Sequence, residues 1–171
     1  MKSVLISIQP RWCELIASGK KTVEVRKTKP KIDTPFKCYI YCTQGKTLDD
    51  ILTFAEYKNG EYMGDYYANG KVIGEFVCDK ITMSFVGYNA DGLPSYWGIL
   101  DGSCLTPNEL VCYGEWKTLY GWHISDLVIY DKPKELSEFV VERYPCLAIL
   151  KRPPQSWCYI DHLAEKGDEQ E

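Results

Sequence analysis

The stretch Gly19-Lys20-Lys21-Thr22-Val23-Glu24-Val25-Arg26 joins two kinds of periodicity. Ahead of it, Pro10 suits the first turn of a helix. Trp12, Leu15 and Ile16 then recur at helical spacing, with Ala17 alongside. Gly19 is a natural helix stop. From Lys21 to Thr28 the period becomes two, with Val23 and Val25 set against Thr22, Glu24 and Arg26. Lys29-Pro30 ends the run. The segment therefore predicts a helix, a tight turn and a strand. On that strand Glu24 and Arg26 share a face, because side chains two apart point the same way.

Working outward, residues 2–8 alternate and predict a strand with one mostly buried face. Phe36 to Thr43 reads as another. In 46–70, Leu48, Ile51, Leu52 and Ala55 have helical spacing after Thr47, a candidate cap, and the part after Tyr57 reads as a loop. Lys71 to Phe85 predicts one long bent strand with Gly74 as a bulge. Residues 86–103 read as an inserted loop. Thr106-Pro107-Asn108-Glu109 marks a helix start, Thr106 capping and Pro107 in the first position. Tyr120 to Tyr130 and Pro145 to Lys151 predict further strands. Residues 161–171 form an acidic tail with net charge −4. Helices interrupt the strands singly, without regular alternation. The expected class is α+β, a small, mostly antiparallel β-barrel with two or three flanking helices.

The chain has 171 residues and a net charge of −4, a length that fits one domain of ordinary globular composition. Its longest apolar run, Cys146 to Leu150, is far below the ~20 residues of a membrane span. The N-terminus does not read as a signal peptide, so a cytoplasmic, reducing location is expected. The eight cysteines then read as free thiols behaving as small hydrophobes. With no Cys-x-x-Cys pair and only His123 and His162, no metal and no cofactor are expected. Charge is uneven. Residues 1–37 hold nine basic and three acidic residues, net +6, and the remainder is −10. A concentrated basic stretch is what phosphate attraction requires, whatever the total.

Three motifs in order carry a resemblance. Gly19 to Arg26 fits G-x-K-x-x-E-x-R after an amphipathic helix. Lys71-Val72-Ile73-Gly74-Glu75-Phe76 looks like the strand G-x-V-I-G-E, and Tyr120-Gly121-Trp122-His123-Ile124-Ser125 looks like Y-x-W-H-I. Together they resemble the ASCH domain family, relatives of the PUA domains. The resemblance implies a single domain over 1–160, with insertions at about 46–70 and 86–113 and the tail 161–171 outside it. It implies a β-barrel with a cleft beside the helix–strand turn, and RNA as the associated ligand. Some small members hydrolyse the acyl amide of acetylated cytidine with a lysine, a threonine and a glutamate. The lysine corresponds to Lys21. The threonine position holds Glu24 here, and Glu109 is the nearest candidate for the glutamate.

The chemistry of these residues supports two readings. In the first, the protein binds RNA or a modified nucleotide through Lys21, Glu24, Arg26, Lys27, Trp122 and His123. Arg26 offers a planar fork to phosphate or a base edge. Glu24 can accept from a cytosine amino group. Aromatic rings such as Trp122 and Tyr120 can stack bases, whereas Trp12 reads as core. In the second, Lys21 acts as base or nucleophile with Glu24 or Glu109, removing the acyl group from an acetylated cytidine nucleoside. No membrane partner is expected.

Overall fold

The computed structural model describes residues 2–143 and 146–163. It contains two α-helices, α1 (Pro10–Ala17) and α2 (Pro107–Gly114), among mostly antiparallel strands. These strands group into sheets of five, three, three, two and two. The class is α+β as expected. A closed barrel is not traced by the hydrogen-bond ladders of the described residues, which stay in separate short sheets. No described helix is long and apolar enough to cross a membrane. Residues 164–171 of the acidic tail lie outside the described residues.

The chain divides into two compact units. One comprises Met1–Arg11, Lys37–Glu75 and Val128–Glu171, the other Trp12–Phe36 and Phe76–Leu127. The first is built on the five-stranded sheet, ordered Ser125–Lys134, Val72–Cys78, Phe36–Cys42, Ser3–Ile8, Trp157–Ile160. Ser3–Ile8 runs parallel to Phe36–Cys42 and antiparallel to Trp157–Ile160. The alternation in 2–8 predicts one buried face, but Val4, Leu5, Ile6 and Ile8 are all buried. An inner strand of a covered sheet is enclosed on both sides. Ser7 sits there because its hydroxyl donates 2.6 Å to the Pro154 carbonyl. Leu5, Tyr39, Val72, Phe139, Leu150 and Ile160 form the core, with Tyr39 and Phe139 edge to face at 5.1 Å.

Three further expectations are corrected. The helix expected from Leu48 is only a 3-10 turn, Leu48–Asp50. Beyond it, Thr53–Lys58 and Glu61–Tyr67 form a β-hairpin in place of a loop. Asn59 and Gly60 both take positive φ (53° and 82°), which matches the right-handed twist of the flanking strands. The long strand expected over 71–85 is two strands, Val72–Cys78 and Ile81–Ser84. At Gly74 the chain approaches closely, and a side chain there would collide with the Val128 carbonyl oxygen.

The second unit is built on a three-stranded antiparallel sheet. Leu119–His123 lies between Val23–Arg26 and Ile81–Ser84. One face packs Val25 and Leu119 against Tyr96, Ile99 and Leu110. Much of that cover comes from the segment read as an inserted loop, which carries the strands Val86–Tyr88 and Pro94–Tyr96. Helix α2 starts as expected. The Thr106 side chain accepts from the Glu109 amide, Pro107 opens the first turn, and the helix stops at Glu115 in the left-handed region.

Candidate functional site

Helix α1 ends in a tight reversal. The amide of Gly19 donates to the Ile16 carbonyl and that of Lys21 to the Leu15 carbonyl, both at 2.9 Å. Gly19 takes φ 73°, which glycine adopts without strain. The next residues are clasped by the loop before α2. The Cys104 thiol donates to the Lys20 carbonyl at 3.3 Å. The amides of Thr22 and Val23 both donate to the Gly102 carbonyl, at 2.8 and 2.9 Å. Gly102 takes φ 77°, and a Cβ there would run into Thr22 Oγ1.

This clasp sets the position of Lys21. Its ammonium donates 2.5 Å to the Ser103 carbonyl and stands 3.4 Å from Glu24 Oε2. It lies 5.1 Å from the centroid of the Trp12 ring, within cation–π reach. Trp12, expected to pack in the core, is partly buried beside Lys21. The other oxygen of Glu24 accepts from Arg26 Nη1, which also donates 3.0 Å to the Val25 carbonyl. Lys21 is 2%, Glu24 3% and Arg26 9% exposed. Burying charges demands pairing, and here two cations converge on one carboxylate.

The register places further residues around the cluster. Tyr120 lies opposite Arg26 on one side and Met83 on the other. Arg26, Tyr120 and Met83 thus form a row on the face that carries Glu24, since cross-strand neighbours share a face. Exposure rises along this row, from Arg26 to Met83 at 55%. Lys27 reaches the rim of α2, 3.0 Å from Glu115 and 5.2 Å from the Tyr113 ring. Its hydrogen bond holds the Glu115 carboxyl below the usual range.

Other expected site residues are placed differently. Trp122 is fully buried, edge to face with Phe36 at 5.8 Å. A ring without exposed area cannot serve as a stacking platform, so the expectation for Trp122 is corrected to packing. His123 points along the opposite face from Glu24, its Nδ1 2.6 Å from Asp79 Oδ1. That hydrogen bond keeps the Asp79 carboxyl low. Glu109 Oε2 accepts from the Thr106 amide (2.8 Å) and hydroxyl (2.9 Å), closing the capping box of α2. In the first unit another partly buried glutamate, Glu75, is held by two side chains. It accepts from Lys37 at 2.6 Å and from the Tyr130 hydroxyl at 2.5 Å. The sequence flagged Glu75 only as part of a motif. It offered no sign of the Gly102–Ser103–Cys104 clasp beyond the Asp101-Gly102 turn pair. Among the described residues no group of three His, Cys, Asp or Glu side chains could hold a metal.

Strand order, helices and the clasped turn define an α+β domain with a buried cationic cluster behind its first helix. Its solved structural neighbours are ASCH proteins. The ASCH protein of Zymomonas mobilis is 21% identical and aligns over 93% of this chain and 87% of its own, with TM-score 0.59. Two single-site variants of that protein give TM-scores of 0.60 and 0.54 at 20% and 18% identity. The chain therefore has the ASCH-domain fold. No protein-family model and no curated protein matches its sequence.

Proposed function

We infer that the protein binds RNA or a modified nucleotide through the turn between α1 and the strand Val23–Arg26. The observation that supports this is the convergence of two buried cations, Lys21 and Arg26, on Glu24 at that turn. Cationic side chains gathered at one turn attract an anionic ligand. Lys27 and Lys29 extend the positive field along the exposed chain after Arg26. The partly exposed Tyr120, beside Arg26 in the sheet, takes the stacking role that Trp122 cannot fill. Binding of a short labelled single-stranded RNA, followed by fluorescence anisotropy over a range of salt, tests the reading. Affinity should fall with salt and fall further in Arg26→Ala. Salt-independent or absent binding removes it.

A second reading, hydrolysis of the acyl amide of acetylated cytidine, has one observation in its favour. Lys21 is held almost wholly buried within 3.4 Å of a carboxylate. Water would cleave the amide to acetate and cytidine, with Lys21 and Glu24 managing the protons. For this Lys21 must exchange one of its present contacts, to Ser103, Glu24 or Trp12, for the substrate. Acetate release from acetylated cytidine, lost in Lys21→Ala, is the expected result. An intact substrate after hours with the unmodified protein excludes it.

A further inference from the structure

Neither reading uses the hairpin of Thr53–Lys58 and Glu61–Tyr67. Thr53 pairs with Tyr67, Ala55 with Asp65 and Tyr57 with Tyr62 on one face. Phe54 pairs with Tyr66 and Glu56 with Gly64 on the other. The second face is partly covered, and the Tyr66 hydroxyl donates 2.9 Å to the Tyr130 carbonyl. The first face is open along its whole length, and Tyr57, Tyr62 and Tyr67 are each more than half exposed. Met63, the extra residue of a bulge in the second strand, is also exposed. Grouped exposed rings of this kind mark interaction surfaces.

The open face has a definite order. Tyr67 stands at one end and the Tyr57–Tyr62 pair at the other, ring centroids 5.9 Å apart. Asp65 lies between them, opposite the small Ala55. The Tyr62 hydroxyl donates 3.0 Å to Asp65 Oδ1 and fixes that carboxylate. Alternate residues on a strand lie ~6.6 Å apart, so a cation on Asp65 falls near the ~6 Å range of rings on either side. Residues 53–67 carry Glu56, Glu61 and Asp65 against Lys58, net −2. That charge repels phosphate and attracts cations. A guanidinium suits the site best, because it stacks on aromatic faces and forks onto a carboxylate at once.

We propose that this face docks an arginine-bearing, extended segment of a partner protein, with one guanidinium on Asp65 between the tyrosine rings. The row of positions along the hairpin repeats every second residue, as the side chains of an extended segment do. The proposal is independent of the nucleotide reading. Its test is anisotropy of a labelled peptide of alternating arginine and glycine titrated with the full chain. The peptide should bind, and Asp65→Asn should lower affinity about five-fold. Tyr67→Ala should lower it about three-fold, with Tyr67→Phe near the unmodified protein, because the ring and not the hydroxyl meets the cation. Both positions are exposed, so the fold should survive in all three variants, as checked by circular dichroism. An unbound arginine peptide, equal binding by Asp65→Asn and Tyr67→Ala, or equal binding of a glutamate–glycine peptide overturns the proposal. So does argininamide that competes as tightly, per molecule, as the peptide, since it would remove the partner segment.

Discussion

The ammonium of Lys21 donates a 2.5 Å hydrogen bond to the carbonyl oxygen of Ser103, eighty-two positions further along the chain. Lys21 follows a helix stop and would otherwise be a surface lysine. The backbone of a distant loop draws it inward, and Glu24 and Trp12 complete its surroundings.

If the loop sets Lys21, Gly102 is its most sensitive position. Gly102→Ala forces a side chain onto φ 77° and onto Thr22 Oγ1. The expected loss is about 1–3 kcal/mol of stability, read from urea denaturation. Ligand binding should weaken as well, since Lys21 loses its support. An unchanged midpoint would show that the clasp yields without cost.

The cluster is organised around its carboxylate. Glu24→Gln removes the carboxylate that both Lys21 and Arg26 share and should cost about 3–5 kcal/mol. Lys21→Met leaves the Glu24–Arg26 pair neutral and should cost less. Equilibrium unfolding of the two variants checks the ranking, and the reverse order would contradict this organisation.

Acid stability should depend on Glu75. Burial pushes its carboxyl up, but the hydrogen bonds from Lys37 and Tyr130 outweigh that and leave it below the usual range. A carboxyl depressed in the folded state contributes stability above its unfolded pKa and loses it as pH falls through the folded value. Stability of the unmodified protein should thus decline below the ordinary carboxylate range, and Glu75→Gln should flatten that decline. Lys37 is the mirror case, raised chiefly by its hydrogen bond to Glu75. Its contribution is full below the unfolded lysine value and is lost as pH rises through the folded one. Denaturation midpoints across pH measure both limbs.

Thiol reactivity should separate by burial. Cys104, Cys112 and Cys146 are exposed, whereas Cys13, Cys38, Cys42 and Cys78 are buried. Burial pushes the Cys78 thiol up to about 12. A disulfide reagent at neutral pH should therefore label the exposed group first and the buried group only on unfolding. Mass spectrometry of labelled peptides identifies them. Early labelling of Cys38 or Cys42 would contradict the enclosed five-stranded sheet.

Local signals were legible wherever they act within a few residues. The α1–Gly19–strand order, the Thr106 cap and the shared face of Glu24 and Arg26 follow from side-chain period and capping chemistry. The failures lie where tertiary context overrides spacing. Leu48, Ile51, Leu52 and Ala55 fit a helix, yet Asn59-Gly60 reverses the chain into a hairpin instead. Trp122 reads as a platform because its motif lies near the cleft, but pairing with Glu24 and contact with Phe36 enclose it.

The sequence by itself determined that a helix ends at Gly19, that a strand follows with Glu24 and Arg26 on one face, and that positive charge gathers there. These are properties of consecutive residues. Only the tertiary structure decided that Lys21 is buried, that residues 102–104 hold it and that Tyr120 is partly exposed beside Arg26 while Trp122 is fully buried. Those outcomes depend on contacts between segments far apart in the chain, and burial is a property of the packed molecule that no local pattern encodes.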